Sequence, residues 1–192
     1  MSTSAVPSHE QTLKNLLAAF NGESNASARY AAFAVKADAE GYLRVGSLFR
    51  AASRAEHIHA ANHSVVIQNL GGTPSANIEA AVVKSTAENL QQAIDGELYE
   101  VNTMYPEFIA EAEAQKNKAA RRTFRFAIEA EKGHAQLFTD ALQAIKNGEG
   151  KKELAEKATY YVCPECGYTA DKADFDRCPV CGHLKEEFEL IS

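Results

Sequence analysis

Phe49-Arg50-Ala51-Ala52-Ser53-Arg54-Ala55-Glu56-His57-Ile58-His59-Ala60 is answered 75 residues later by Phe124-Arg125-Phe126-Ala127-Ile128-Glu129-Ala130-Glu131-Lys132-Gly133-His134-Ala135. The shared pattern is Phe-Arg-x-Ala-x-x-Ala-Glu-x-x-His-Ala. The echo extends upstream, where Gly22-Glu23 leads to Tyr30 and Gly96-Glu97 leads to Tyr105. Glu23 precedes Glu56 by 33 residues and Glu97 precedes Glu131 by 34. A repeated pair of helices, each giving Glu and then Glu-x-x-His, describes a carboxylate-bridged pair of metal ions.

Hydrophobic periodicity places these motifs on helices. Leu13, Leu16, Leu17, Phe20, Tyr30 and Phe33 recur at a helical period between Ser8, a candidate N-cap, and Ala39. Gly41 breaks the run, and a second helix is expected from about Tyr42 to Leu70. Gly71-Gly72-Thr73-Pro74-Ser75 is a turn cluster. Ser85-x-x-Glu88 reads as a capping box that opens a third helix, kinked near Pro106 and ending near Ala114. The fourth is expected from about Asn117 to Lys146, stopping at Gly148. Short joints near Glu40 and Lys116 make each helical pair antiparallel, and residues 71–84 are long enough to run the length of the bundle. One long crossover in four helices gives an all-α bundle of ferritin-like topology.

Charged residues fall where apolar ones belong. On the second helix the stripe through Val45, Phe49 and Ala52 continues through Glu56, His59 and His63. On the fourth, Phe124 and Ala127 lead to Glu131 and His134, then Phe138 and Leu142. Glu23 continues Leu16 and Phe20, and Glu97 and Glu100 follow Leu90 and Ile94. Core-facing carboxylates without partners each cost several kcal/mol. No Lys or Arg on the stripes is placed to neutralise them, so cations must. One Glu from each of two helices plus Glu-x-x-His from each of the others is the donor set of di-iron and di-manganese bundles. Glu23, Glu56, His59, Glu97, Glu131 and His134 make up that set.

The repeat also acts as a control. A single Glu-x-x-His is ordinarily a solvated helical pair, and it is the registered duplication that points to metal. His57 aligns with Lys132 and reads as a surface residue. His63 aligns with Phe138 and reads as a satisfied core or supporting histidine rather than a ligand. His9 and His183 carry no supporting pattern. Tyr30 and Tyr105 are read as hydrogen-bond partners of the carboxylates. Glu100 aligns with Ala26 and is one carboxylate more than the set requires, so it reads as a seventh ligand. Two ferrous ions balance four carboxylates, whereas two ferric ions bridged by hydroxide balance five. Glu100 is therefore expected to bind in the oxidised state and to leave on reduction.

The last residues form a different unit. Cys163-Pro-Glu-Cys166-Gly167 and Cys178-Pro-Val-Cys181-Gly182 are two C-x-x-C knuckles with glycines suited to positive φ. Together they suggest one four-thiolate site in a module too small to fold without metal. Zinc and iron both accept four thiolates. Iron is favoured here because redox-inert zinc would give the neighbouring centre no electron wire. The expected division is a bundle over 1–147, a polar linker over 148–157, with or without a short helical turn, and the four-cysteine module over 158–192.

Composition sets outer bounds. The chain has 192 residues, 45% of them hydrophobic, and a net charge of −6. No basic run supports nucleic-acid or anionic-membrane binding. No apolar stretch approaches the roughly 20 residues a bilayer requires. Met1 to Ser8 resembles no export signal, and a cytoplasmic location is expected.

Taken in order, Gly22-Glu23-Ser24, Ala55-Glu56-x-x-His59-Ala60, Gly96-Glu97-x-x-Glu100, Met104-Tyr105-Pro106, Glu131-x-x-His134 and Tyr161-x-Cys163-x-x-Cys166-Gly167-Tyr168 resemble the rubrerythrin family over nearly the whole chain. The resemblance implies a non-haem di-iron peroxidase that reduces hydrogen peroxide to water. A rubredoxin-type iron would pass it electrons from a reductase using NAD(P)H or from a rubredoxin. It implies Glu56 and Glu131 as bridges, Glu23 and Glu97 as terminal ligands and His134 on the second iron. Glu100 and His59 would exchange on the first, making these two, with Tyr30 and Tyr105, the candidate catalytic residues. It further implies a homodimer in which the four-cysteine module of one chain serves the other, with domain exchange permitted by the crossover and linker. Thr103, where some members carry an acidic residue, and a crossover shorter than in some, are departures. Ferroxidase or oxygen-reducing activity in iron handling, and iron storage, are the competing readings.

Overall fold

The computed structural model describes residues 9–148 and 154–192. Helix α1 spans Glu10–Ala39 and α2 spans Leu43–Asn69, joined by a turn at Gly41 with φ +86°. Helix α3 covers Thr86–Tyr99, a π-helical segment Glu100–Met104, α4 Tyr105–Ala114 and α5 Lys118–Lys146. The expected capping box is present in full. Glu88 N–H donates to the Ser85 hydroxyl and the Glu88 carboxylate accepts from the Ser85 N–H. Asn117 caps α5 by accepting from Ala120 N–H at 3.0 Å. Ser8 as an N-cap lies outside the described residues, as do residues 149–153 of the 148–157 linker. His9 occupies the α1 cap position without a side-chain capping bond.

The third helix departs from expectation. Its irregularity falls before Pro106, in the π segment, where Tyr105 N–H donates to the Glu100 carbonyl five residues back. Pro106 sits in the first turn of α4, directly after the π segment. The cause can be read from the repeat. Tyr30 follows Glu23 by seven residues but Tyr105 follows Glu97 by eight. A π turn absorbs one additional residue without breaking the helix, so Tyr105 still faces inward.

The crossover runs the length of α1. Gly72 lies against Leu13 near the start of α1. Asn77 N–H donates to Asn21 Oδ1 (2.8 Å) and Glu79 N–H to Asn25 Oδ1 (2.9 Å) midway. Thr86 donates to Glu40 through both N–H (2.9 Å) and hydroxyl (2.6 Å) at the far end. The chain thus re-enters the bundle at the opposite end, as a ferritin-like topology requires.

Strands β1 (Tyr160–Val162), β2 (Thr169–Ala170) and β3 (Glu189–Ile191) form an antiparallel sheet in the order β2-β1-β3. Leu154, Tyr160 and Val162 join the bundle's own apolar core, so the module is packed on the helices of the same chain. Arg54 grips Glu189 through two 2.6 Å bonds, Asn62 donates to the Glu165 carbonyl at 2.8 Å, and Arg122 reaches the Glu165 carboxylate at 2.9 Å. These contacts seat the first cysteine knuckle over α2 and α5. Among the described residues no helix is long and apolar enough to cross a membrane.

Candidate metal centre

Helical spacing puts each Glu-x-x-His on one face, and four helices bring the faces together. Glu23, Glu56, His59, Glu97, Glu131 and His134 are each at most 2% exposed. Their ligand atoms fall into two groups, each within 4.8 Å: Glu23, Glu56, His59 and Glu131, and Glu56, Glu97, Glu131 and His134. Glu56 and Glu131 are common to both, the placement required of carboxylates lying between two ions. Alanines 52, 55, 127 and 130, all fully buried, leave the helices close enough for this convergence.

The donors are arranged for cations. Glu23 Oε2, Glu56 Oε1, both oxygens of Glu131 and Nδ1 of His134 are buried without hydrogen-bond partners. His134 Nδ1 nonetheless lies 2.8 Å from Glu131 Oε2 and His59 Nδ1 2.8 Å from Glu131 Oε1. Lone pairs meeting in this way repel one another until a positive charge lies between them. Without metal, protons take that role. Burial, then Glu131 and Glu23, pushes Glu56 up to about 7. Burial, then Glu131, Glu56 and Glu100, holds Glu97 well above the carboxylate range. Burial opposes charge on His134, but Glu131 and Glu56 outweigh it and raise its pKa to about 9. The same contest, settled by Glu131, Glu23 and Glu56, raises His59. Metal binding therefore expels protons from this centre.

The four-cysteine module orients both histidines. His59 Nε2 lies 3.1 Å from the Cys166 carbonyl, which can only accept, so Nε2 carries the proton. His134 Nε2 lies 3.0 Å from Thr169 Oγ1, whose own proton goes to the Gly167 carbonyl at 3.0 Å. Both rings consequently present Nδ1 to the carboxylates as a ligand atom. Gly167, with φ +77°, makes this docking possible, since a Cβ there would collide with the His59 imidazole and crowd the Ala55 carbonyl. Thr169 and the Cys166 carbonyl were not legible as site residues, because only docking brings them to the histidines.

Each tyrosine serves the opposite half of the repeat. Tyr30 donates to Glu97 at 2.6 Å and Tyr105 donates to Glu23. Burial and the neighbouring carboxylates hold both phenol protons well above the ordinary range, so both remain donors. His63 is a satisfied core residue, bonded to Thr123 and Tyr105. His57 is exposed, and His183 pairs with Glu187 at 2.8 Å away from the centre. Glu100 belongs to neither ligand group. It opens the π segment, half-buried, on a pocket shared with Asn25, Arg29, Glu79 and Gln92.

In the C-terminal module Cys163, Cys166, Cys178 and Cys181 place their sulfurs within 4.8 Å of one another, and none forms a disulfide. Two Sγ–Sγ distances are 3.5 Å, close to the ~3.8 Å edge of a tetrahedron with metal–sulfur bonds of about 2.3 Å. Gly167 and Gly182, at φ +77° and +80°, shape the two knuckles as expected.

A helical bundle with a paired carboxylate–histidine centre, joined to a four-thiolate knuckle, defines a ferritin-like di-metal protein with an attached rubredoxin-like module. The rubrerythrin family model matches residues 14–142. Rubrerythrin-2 of Clostridium acetobutylicum is 43% identical over 157 residues, covering 80% of this chain and 82% of the relative. Nigerythrin of Nitratidesulfovibrio vulgaris is 35% identical over 158 residues, covering 82% and 75%. The solved structure of fully reduced, all-ferrous nigerythrin superposes with a TM-score of 0.83 at 32% identity, covering 99% of this chain and 88% of that one. A bacterioferritin from Desulfovibrio desulfuricans shares the bundle fold, with a TM-score of 0.70 at 24% identity over 76% of this chain and 85% of that one. The chain belongs to the rubrerythrin family of di-iron oxidoreductases. Its oxygen–nitrogen and four-sulfur donor sets fit iron at both centres.

Proposed function

We propose that this protein reduces hydrogen peroxide to water at the carboxylate centre, with electrons delivered through the four-thiolate iron. The observation that carries the reading is the hydrogen bond from His59 Nε2 to the Cys166 carbonyl. It joins a cysteine of one centre to a histidine of the other through a single contact. A ferroxidase or an iron store has no use for such a connection. When bound, the two irons supply redox electrons and open coordination positions for the oxidant. The reaction consumes one peroxide, two electrons and two protons and yields two waters.

The chain's own residues provide the rest. Glu56 and Glu131, shared by both donor groups, would hold both irons, Glu23 and Glu97 would each serve one, and His134 would hold the second. His59 and Glu100 would be alternative ligands of the first. His59 lies in a ligand group here and Glu100 stands outside both. Tyr30 and Tyr105 each donate a hydrogen bond to a terminal carboxylate and hold it in place. The module seated over the histidines keeps bulk water from that side.

The division into a bundle over 1–147, a linker over 148–157 and a module over 158–192 belongs to the same proposal. So do a homodimer, a cytoplasmic setting, and an NAD(P)H-linked reductase or rubredoxin as donor. Anaerobically reduced protein mixed in a stopped-flow cell with peroxide, and separately with oxygen, tests the reaction. Faster reoxidation of both centres by peroxide is expected. Faster reoxidation by oxygen would replace the peroxidase reading with the ferroxidase or oxygen-reducing one.

A further inference from the structure

The side chains around the two tyrosines match across the internal repeat almost ring for ring. Tyr30 and Phe49 have centroids 5.9 Å apart, and so do Tyr105 and Phe124. Phe33 and Phe49 are 5.5 Å apart, and so are Phe108 and Phe124. Two matched positions differ in kind. Phe138 packs on Tyr30 with centroids 5.3 Å apart, and Leu48 shares their core cluster, both apolar and buried. Their counterparts beside Tyr105, each displaced by the same 75 residues, are Thr123 and His63. Both are buried, and they bond each other, with Thr123 Oγ1 and His63 Nδ1 at 2.9 Å. His63 Nε2 then lies 3.1 Å from the Tyr105 hydroxyl, which reaches Glu23.

Donor counting gives this chain a direction. An ionised Glu23 only accepts, so Tyr105 gives it the phenol proton. The lone pair left on the Tyr105 oxygen can then only receive, so His63 Nε2 carries a hydrogen. Nδ1 is bare in that tautomer, and Thr123 must donate to it. Every buried polar atom from Thr123 to the Tyr105 oxygen is satisfied in one sense, and the sense ends on Glu23. Among the described residues the Tyr30 hydroxyl makes no hydrogen bond besides the one to Glu97, so no donor stands behind that bond in the same way.

We propose that Thr123 and His63 are positioning residues which, acting through Tyr105, lock Glu23 as the fixed carboxylate of the His59 side, while Glu97 is held by Tyr30 alone. This rests on the reading of Glu23 as an iron ligand. It gives the centre one anchored terminal carboxylate and one freer one, and the freer one shares its helical stretch with Glu100. Replacing Thr123 with an apolar residue leaves His63 Nδ1 without a partner in either tautomer. The phenol proton is then contested between Glu23 and Nε2.

Imidazole nitrogen NMR on the all-zinc full-length protein tests the direction. His63 is expected as the Nε2–H tautomer, and finding Nδ1–H would overturn the proposal, because Tyr105 would then donate to His63. Stepwise Co(II) titration of the carboxylate centre tests the consequence. Thr123→Val and His63→Phe are each expected to weaken one of the two metal positions by roughly 10- to 100-fold, the usual cost of losing a supporting hydrogen bond. Thr123→Ser is expected to restore it, and both losses should vanish in a Tyr105→Phe background. Equal weakening of both positions, or a loss that persists without the phenol, would sink the idea. Glu23→Ala keeps the two readings apart: unchanged binding of two Co(II) would remove Glu23 as a ligand and leave the tautomer result to stand alone.

Discussion

Around Tyr30 and around Tyr105, one sequence pattern builds two differently equipped ends of a single centre. The aromatic rings agree at both, and each tyrosine reaches across to the other half's terminal glutamate. The differences are confined to a few positions. One end has an additional residue taken up as a π turn and an additional carboxylate, Glu100, at its start. It also has Thr123 and His63 where the other has Leu48 and Phe138. The equal parts hold the six common donors in place. The unequal parts are those that can make one metal position behave differently from the other.

Adding a residue to the π segment attacks this comparison most directly. One alanine inserted after Thr103, which is exposed, exceeds what a single π turn absorbs and should swing Tyr105 by about 100° away from Glu23. With α4 turned off its packing and a buried carboxylate left without its donor, the loss should be several kcal/mol, read as a lower denaturation midpoint with reduced iron at the carboxylate centre. Normal iron content would mean that the residue count of this segment does not set the register.

Gly167→Ala is next, because it strikes both ends equally. A Cβ against His59 should lift the module, free Nε2 of both histidines and slow electron transfer between the centres by about 100-fold, as small displacements at reacting groups do. The four-thiolate colour should be unchanged, so rapid-mixing absorbance separates lost transfer from lost iron.

Glu100→Ala tests the additional carboxylate itself. It is expected to lower peroxide turnover by about 10-fold or more and to alter the spectrum of the oxidised centre while leaving the reduced one as it was. An unchanged oxidised spectrum would remove Glu100 from the mechanism. Ser85→Ala should have the smallest effect. It deletes a capping box far from either tyrosine and should cost about 1 kcal/mol in urea denaturation, with both metal centres intact.

Much of this was legible in the chain. Helical period, Gly41 and Gly71 as breaks, and the Ser85 and Asn117 caps are local signals, set by side chains within one turn of the backbone they affect. The repeat marked out the six clustered donors and separated His59 and His134 from His57 and His63. The length difference between the half-repeats already contained the π turn, but Pro106 offered a more familiar cause for irregularity and drew the kink to itself. Leu48 against Thr123 was likewise present in the alignment of the halves. Its meaning depended on His63, which only folding places beside it.

The sequence by itself determined the donor types, their spacing along each helix and the two cysteine knuckles, because those follow from covalent order and the pitch of a helix. Only the tertiary structure decided which atoms the donors turn towards one another. That the Cys166 carbonyl and Thr169 set the tautomers of His59 and His134, that the tyrosines cross between halves, and that Glu100 stands outside the ligand groups are all contacts between distant segments. Such contacts depend on how the faces are brought together, and helical periodicity says which face is buried but not what it meets.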